Sequence, residues 1–478
     1  MHSATRILAR RTRSPIALAG LAIFASAAPG WAEDVSRAAP ASQAPPLSGE
    51  PPGAEAPPEL PPGLDPDQVE AQDKAVPEEG DTSWGLEFQL WLQHIYERPP
   101  PAQEHGAHAD VGRLVLDFRH EWSLGKRWTL GFSNQWQGAL DLLRTQDASS
   151  YSGALNNPRE LWVRWQAGSE ERPLYLDVGR INIRNGVGSG YSPTDFFKEG
   201  AVRQPLLLDP NAFRLNRLGT VVAMIQYIHE SGAYTLALVP PLSSQDPMEI
   251  GPWYSPGLNR TNSQGALYAK WAPQIREWLS VDVLFLARES ERPKLGLDLS
   301  LLLGQALVFN VDWAVGGCRP LGGPDEPVPG YTWCNRIAAN LTWTTPVGIE
   351  LTVEQQFASD ALGAEAWRQW RGITNEKQLT LLDMSDRRAF ESEPLLKHGS
   401  FARAGWRDAF AVRGLDLSSF VQVNNIDWSG LTQQMVTWHL KNDWSVGGQF
   451  LQFFGGPDSQ YGSSPTALRF DLFVSKRY

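Results

Sequence analysis

The chain ends in TALRFDLFVSKRY, residues 466–478, and this stretch alternates between two kinds of side chain. The apolar side of the alternation consists of Leu468, Phe470, Leu472 and Val474. Most of the residues between them are polar. A period of two is that of a β-strand, in which successive side chains point to opposite faces of the sheet. The segment therefore predicts a strand with one apolar face.

The same alternation recurs along the chain from Trp84 onward, in about eighteen segments. Most of them have roughly the ~9–11 residues that a tilted strand needs to cross a bilayer. The segments lie near residues 84–95, 111–122, 128–140, 159–167, 174–183, 219–229, 233–240, 264–272, 279–288, 296–304, 306–315, 334–345, 348–357, 400–411, 413–424, 433–440, 444–454 and 466–477.

The connections between these segments alternate between short and mostly longer ones. Residues 124–127 and 441–443 are short connections, whereas 184–218, 241–263 and 358–399 are long. This rhythm is typical of a membrane barrel with tight periplasmic turns and long extracellular loops. We expect an all-β fold, a transmembrane antiparallel β-barrel of about 18 strands (range 16–20) formed by residues 81–478.

Two further segments precede the barrel. Residues 1–32 combine four arginines with a short apolar stretch, Ile16 to Ala28, which predicts a signal peptide. Residues 33–80 contain eleven prolines and eleven acidic residues, which predicts a disordered periplasmic segment. An exported barrel is expected in the bacterial outer membrane, in contact with its lipid.

The last strand carries a second signal. Phe470, Leu472, Val474 and Tyr478 resemble the C-terminal signal of bacterial outer-membrane barrels, an alternating apolar strand with a terminal aromatic residue. The resemblance implies recognition by the barrel-insertion machinery. The sequence departs from the pattern at Lys476 and in ending on Tyr rather than Phe.

The two cysteines, Cys318 and Cys334, lie at the ends of one predicted outer loop. Because exported proteins meet oxidising conditions, we expect a structural disulfide between them. Two free thiols are the alternative.

The segment from Gly179 to Gly219 combines three closely spaced glycines with a cluster of charges. An arginine cluster that faces a lumen focuses positive potential and favours anionic solutes. We expect the loop to fold into the barrel and narrow it; an ordinary surface loop with solvated arginines is the alternative. The candidate constriction residues are Arg180, Arg184, Asp195, Lys198, Glu199, Arg203, Arg214 and Arg217. Arg180 is in phase with the lipid-facing residues of its strand, which an interfacial position or a bulge at Gly179 would explain.

Catalytic chemistry finds little support in the sequence. His398 and Ser400 are two residues apart at a strand start, but no orienting third residue is identified. Glu104, His105 and His108 are expected to be solvated rather than to bind a metal. We therefore predict neither a catalytic site nor a metal site, and no cofactor. Loop 358–399 is expected to form short helices at the outer mouth, as a gate or as packed surface cover.

In architecture, the predicted barrel resembles the large porin-like outer-membrane barrels, both the substrate-selective channels and the alginate-export type. We therefore expect a diffusion channel, and the arginine-containing constriction predicts a preference for small, anionic or hydroxyl-rich solutes. One alternative is an export pore for an anionic exopolysaccharide, working with a periplasmic partner bound by residues 33–80. The other is an outer-membrane enzyme that acts on lipid. No nucleic-acid partner is expected.

Overall fold

A computed structural model of the protein describes residues 85–98, 106–145, 148–169, 171–203, 207–249, 251–326, 330–371, 373 and 376–478. The predicted signal peptide and acidic segment lie outside the described residues.

The described residues form one antiparallel sheet of eighteen strands that closes on itself through β1 and β18. Each strand pairs with its neighbours in the sequence, so the chain runs up and down around a barrel. The strands are β1 Gly85–Glu97, β2 Ala107–Ser123, β3 Trp128–Arg144, β4 Gly153–Ser169, β5 Arg172–Ile181, β6 Thr220–His229, β7 Gly232–Val239, β8 Ala266–Arg276, β9 Leu279–Arg288, β10 Lys294–Leu303, β11 Leu307–Cys318, β12 Thr332–Thr344, β13 Ile349–Ala358, β14 His398–Trp406, β15 Leu415–Asn424, β16 Gly430–His439, β17 Trp444–Phe454 and β18 Thr466–Arg477. The predicted fold class and strand number are confirmed.

Short turns and longer loops lie at opposite ends of the barrel, as the sequence predicted. The turns at one end include residues 124–127 and 440–443, and the loops at the other include 182–219 and 359–397. Gly85 and Arg477, where the barrel begins and ends, both lie at the short-turn end.

The outer surface of the barrel is apolar. Outward-facing side chains such as Leu90, Val178 and Leu472 are exposed on strands whose inward neighbours are buried. Exposed tryptophans mark both ends of this band. Those at the short-turn end are Trp128, Trp278, Trp343, Trp438 and Trp444, and those at the long-loop end are Trp253, Trp333 and Trp428. A closed antiparallel barrel with an apolar band between two aromatic girdles is the architecture of outer-membrane proteins. The protein therefore spans the bacterial outer membrane.

Several strand boundaries differ from the prediction by four residues or more, and β3 and β8 end later than predicted, at Arg144 and Arg276. Strands β2 and β4 begin at Ala107 and Gly153, earlier than predicted, and β14 ends at Trp406 rather than at residue 411. The added part of β4 is paired with β3. Its polar residues break the alternation on which the prediction depended. After β14, Ala409–Ala411 form a 3-10 turn in which Phe410 and Ala411 have positive φ.

Helices occur in the long loops. They are α1 Pro210–Leu215, α2 Leu258–Thr261, α3 Ala364–Arg371 and α4 Glu376–Glu391. Helices α3 and α4 confirm the prediction of helices in loop 358–399. No helix in the described part of the chain is both long and apolar enough to cross a bilayer. The predicted disulfide is also present: Cys318 and Cys334 are bonded across β11 and β12, with their Cα atoms 6.0 Å apart.

Candidate pore constriction

The loop of residues 182–219 is here called the inner loop, and its described parts, 182–203 and 207–219, lie inside the barrel. Its described residues contact inward-facing side chains on widely separated strands. Leu207 packs against Trp91 of β1, and the backbone N–H of Leu208 donates to Gln433 of β16 at 3.2 Å. On another part of the wall, Tyr268 of β8 donates to Asn185 at 2.8 Å. The described residues of the inner loop therefore contact walls on opposite parts of the barrel.

Three inward carboxylates of the wall hold the start of the inner loop. Six consecutive backbone N–H groups, from Gly186 to Tyr191, donate to Asp298 of β10, Asp312 of β11 and Glu354 of β13. The N···O distances lie between 2.6 Å and 3.2 Å. The three acidic residues are 0–2% exposed. Because a buried carboxylate is costly without compensation, and a hydrogen bond to a charged group contributes ~1.5–3 kcal/mol, wall and loop stabilise each other.

The glycines of this segment allow the close approach. A Cβ at Gly186 would lie 1.7 Å from Oγ of Ser192, and φ there is +83°. A Cβ at Gly190 would lie 2.5 Å from the ring of Phe401 on β14. Without side chains, the backbone can turn its N–H groups towards the wall.

Four of the predicted constriction residues form ion pairs inside the barrel. Asp195 and Arg217 pair at 2.6 Å, and the side chain of each is 2% exposed. Lys198 pairs with Glu393 at 3.0 Å.

Glu199 pairs with Arg288 of β9. Burial alone would raise the pKa of Glu199, but the charge of Arg288, with those of Lys294 and Arg336, outweighs it and lowers that pKa to about 2. Glu199 is therefore held as a carboxylate.

Other predicted arginines bind backbone carbonyl groups. Arg214 donates to the carbonyls of Asn185 and Gly186, and Arg203 to those of Asn156 and Ser255. These contacts shape the loop. Arg184 is half-buried in the same segment.

Arg180 lies apart from this group, at the long-loop end of β5. It donates to the carbonyls of Pro158, Gly219 and Pro256, so the β7–β8 loop covers it on the outer side. The pairing of β5 shows no register shift at Gly179. The interfacial position, and not a bulge, accommodates Arg180.

The long loop between β13 and β14, here called the lid loop, is joined to the inner loop by buried polar contacts. Glu393 accepts from Tyr191 at 2.5 Å and also pairs with Lys198. The N–H of Gly200 donates to the carbonyl of Phe390 at 2.8 Å. Within the lid loop, helix α4 is tied to the wall because Asp360 accepts from both Arg336 and Arg388. These charges lower the pKa of Asp360 although burial opposes the shift.

The wall of the lumen carries ion pairs in which the basic member is the more accessible. The side chain of Arg119 is 41% exposed against 12% for Asp117, and that of Arg164 is 37% exposed against 2% for Asp177. The same order holds for the pairs Lys270–Asp282, Arg403–Asp209 and Arg477–Glu87. Two arginines of the wall reverse it: Arg159 is buried against Asp117, and Arg288 is 16% exposed against 33% for Glu199 of the inner loop.

The two residues considered for hydrolysis do not form a catalytic arrangement. The ring of His398 packs against Phe357, with centroids 5.3 Å apart. Ser400 donates to Asn425 at 3.0 Å and accepts from Gln355 at 2.8 Å. The described residues contain no group of three or more His, Cys, Asp or Glu side chains that could hold a metal ion.

The wall carboxylates Asp298, Asp312 and Glu354 are not among the residues predicted from the sequence. Each is an acidic residue at an inward position of an alternating strand, and all three fall within four neighbouring strands. Acidic residues at the inward positions of neighbouring alternating strands are therefore the sequence signal by which such wall carboxylates can be found.

No family model matches this sequence, and no curated protein matches it. The fold is similar to several solved structures. A BenF-like porin from Pseudomonas fluorescens Pf-5 is 10% identical, with 83% of this chain and 98% of that chain covered and a TM-score of 0.49. OccK7 (OpdD) of Pseudomonas aeruginosa is 12% identical, with 84% of this chain and 99% of that chain covered and a TM-score of 0.48. OccAB3 of Acinetobacter baumannii is 9% identical, with 83% of this chain and 100% of that chain covered and a TM-score of 0.45.

Proposed function

We propose that this protein is an outer-membrane channel through which small anionic or hydroxyl-rich solutes diffuse. The observation that supports the proposal is the set of contacts that the described residues of the inner loop make with widely separated strands of the barrel. Transport is passive: the solute passes through a wetted lumen, and its electrostatic interaction with the wall decides which solutes enter most readily.

The anion preference is attributed chiefly to cations of the lumen wall. Arg119, Arg164 and Arg403 expose more of their side chains than their acidic partners do. A passing solute therefore meets guanidinium groups more often than carboxylates, and the low-dielectric wall strengthens the attraction. The candidate residues of the inner loop give the constriction its shape, since Arg203, Arg214 and Arg217 bind loop or neighbouring groups.

The experiment is a measurement of ion selectivity in planar bilayers. The purified full-length protein should form ohmic pores, and the reversal potential in a KCl gradient should indicate preference for Cl⁻. Arg119→Gln combined with Arg403→Gln should reduce this preference. Lys126→Gln, in an exposed turn between β2 and β3, removes a positive charge outside the lumen and should leave the preference as in wild type. Absence of pores, or cation selectivity of the wild type, would contradict the proposal.

We also propose that the last strand is the signal for barrel insertion. Phe470, Leu472 and Tyr478 are exposed on the outer face, and Val474 lies in phase between them. Lys476, at the position that departs from the usual pattern, donates to the carbonyl of Asn442 at 2.5 Å and lies over the ring of Tyr478. The folded turn can thus accommodate the lysine on an otherwise apolar face.

A further inference from the structure

We infer that Asp298, Asp312 and Glu354 form a carboxylate clasp that sets the width of the pore by fixing the backbone of Gly186–Tyr191 against the wall. The inference rests on the proposed function, since the width matters only if the barrel conducts. The clasp residues touch the loop and not the solute, and they are therefore positioning residues.

The three acidic residues lie close together on the inner face of the barrel wall. Asp298 and Asp312 are directly paired across β10 and β11. Glu354 lies on β13, where it is paired with Asn340 of the intervening strand β12. Three buried carboxylates so close together repel each other unless something positive faces them. What faces them is a run of backbone N–H groups, whose aligned dipoles form an anion-binding concavity.

The hydrogen-bond donors to the clasp are uncharged groups. Besides the loop amides, the hydrogen bonds of Asp312 and Glu354 within the described residues come from Ser192, Gln356 and Asn340, which are neutral. Other buried acidic residues here take arginine partners, as Asp195 does. The clasp thus selects a backbone conformation, which a flexible lysine or arginine would not do.

The sequence of the loop allows its backbone to lie against the clasp residues. Six successive N–H groups reach the wall only if the backbone lies close to it. At Gly186, Gly188 and Gly190 a Cβ would lie within 2.5 Å of Ser192, Tyr191 or Phe401. Because the barrel wall is rigid, a loop that is bound in this way leaves a fixed opening on its other side.

Glu354 is the most informative position to change, since it accepts from Ser189, Gly190 and Tyr191. Glu354→Gln keeps the size of the side chain but places an NH₂ group where a carboxylate oxygen accepted. At least one loop N–H then loses its acceptor. The strand itself keeps its backbone pairing with β12 and β14.

The test compares full-length wild type with Glu354→Gln, Asp312→Asn and the control Glu350→Gln. Glu350 is an inward carboxylate of the same strand, and the described structure shows no hydrogen bond from the inner loop to it. Single-channel conductance in planar bilayers and amide hydrogen exchange at residues 186–191 are the two readouts. The clasp variants should conduct more than wild type, with added fluctuation between levels. Their exchange at 186–191 should rise by about tenfold or more, as expected when a charge-assisted hydrogen bond is lost. The control should match wild type in both.

Unchanged conductance and exchange in both clasp variants would overturn the inference. So would failure of both variants to fold, judged by the heat-dependent mobility of the barrel on gels, because positioning residues should not decide folding. A wild type that does not conduct would contradict the proposed function instead. Hydrogen exchange would then still decide whether the clasp holds the loop.

Discussion

At the scale of single residues, the buried carboxylates of this barrel are compensated in two ways. Asp195 and Asp360 accept from arginines, whereas Asp312 and Glu354 accept mainly from backbone N–H groups. An ion pair between side chains compensates a buried charge in many backbone conformations. Hydrogen bonds from several successive backbone N–H groups form in only one backbone conformation. The start of the inner loop is thus held through its backbone N–H groups, whereas its later part is held through the side chains of residues such as Asp195 and Arg217.

The ion pair of Glu199 and Arg288 predicts a pH dependence of stability. The pKa of Glu199 falls from 4.5 to about 2 in the folded protein, so the carboxylate is stabilising above pH 4.5, and this contribution is lost as the pH falls towards 2. The thermal midpoint of wild type in detergent should therefore exceed that of Glu199→Gln at pH 6, and the difference should shrink between pH 4.5 and 2. Glu230→Gln, which breaks an exposed pair with Arg172, should show a small difference that varies little with pH. A difference for Glu199→Gln that grows towards pH 2 would contradict this account.

At the scale of elements, the inner loop and the lid loop form one packed unit. Glu393 is the link, since it accepts from Tyr191 and pairs with both Lys198 and Arg336. A substitution in the lid loop should consequently alter the stability of the inner loop at the constriction.

Glu393→Gln is expected to loosen both loops together, because it leaves the buried Lys198 without its full countercharge. Amide exchange should accelerate at 189–201 and also at 388–396. Glu365→Gln, which breaks an exposed pair with Arg368, serves as the matched control and should change neither segment. Faster exchange confined to the lid loop would show that the two loops are not coupled.

Strand positions could be predicted because each strand carries its own signal. Lipid on one side and a polar lumen on the other impose alternation, and β9, β17 and β18 were predicted at their observed bounds or within a residue of them. The signal fails in the first part of β4, where polar residues break the alternation, and at Ala409–Ala411, where an alternating segment turns.

At the scale of the whole molecule, the partners inside the lumen could not be predicted. The clasp joins residues 186–191 to residues more than a hundred positions later, and only closure of the barrel brings them together. Charge and glycine content indicated that the inner loop enters the lumen. Which carboxylates receive it depends on strand register, which alternation alone does not fix.

The central claim is that the inner loop is the constriction of a conducting barrel. The most direct measurement is the single-channel conductance of a variant in which residues 184–216 are replaced by a short Gly-Ser linker. Since the strands are paired independently of the loop, the barrel should still fold, and its freed wall carboxylates should be solvated. The account predicts a conductance several times that of wild type, with weaker discrimination between solutes of different size. A folded variant barrel whose conductance equals that of wild type would contradict it.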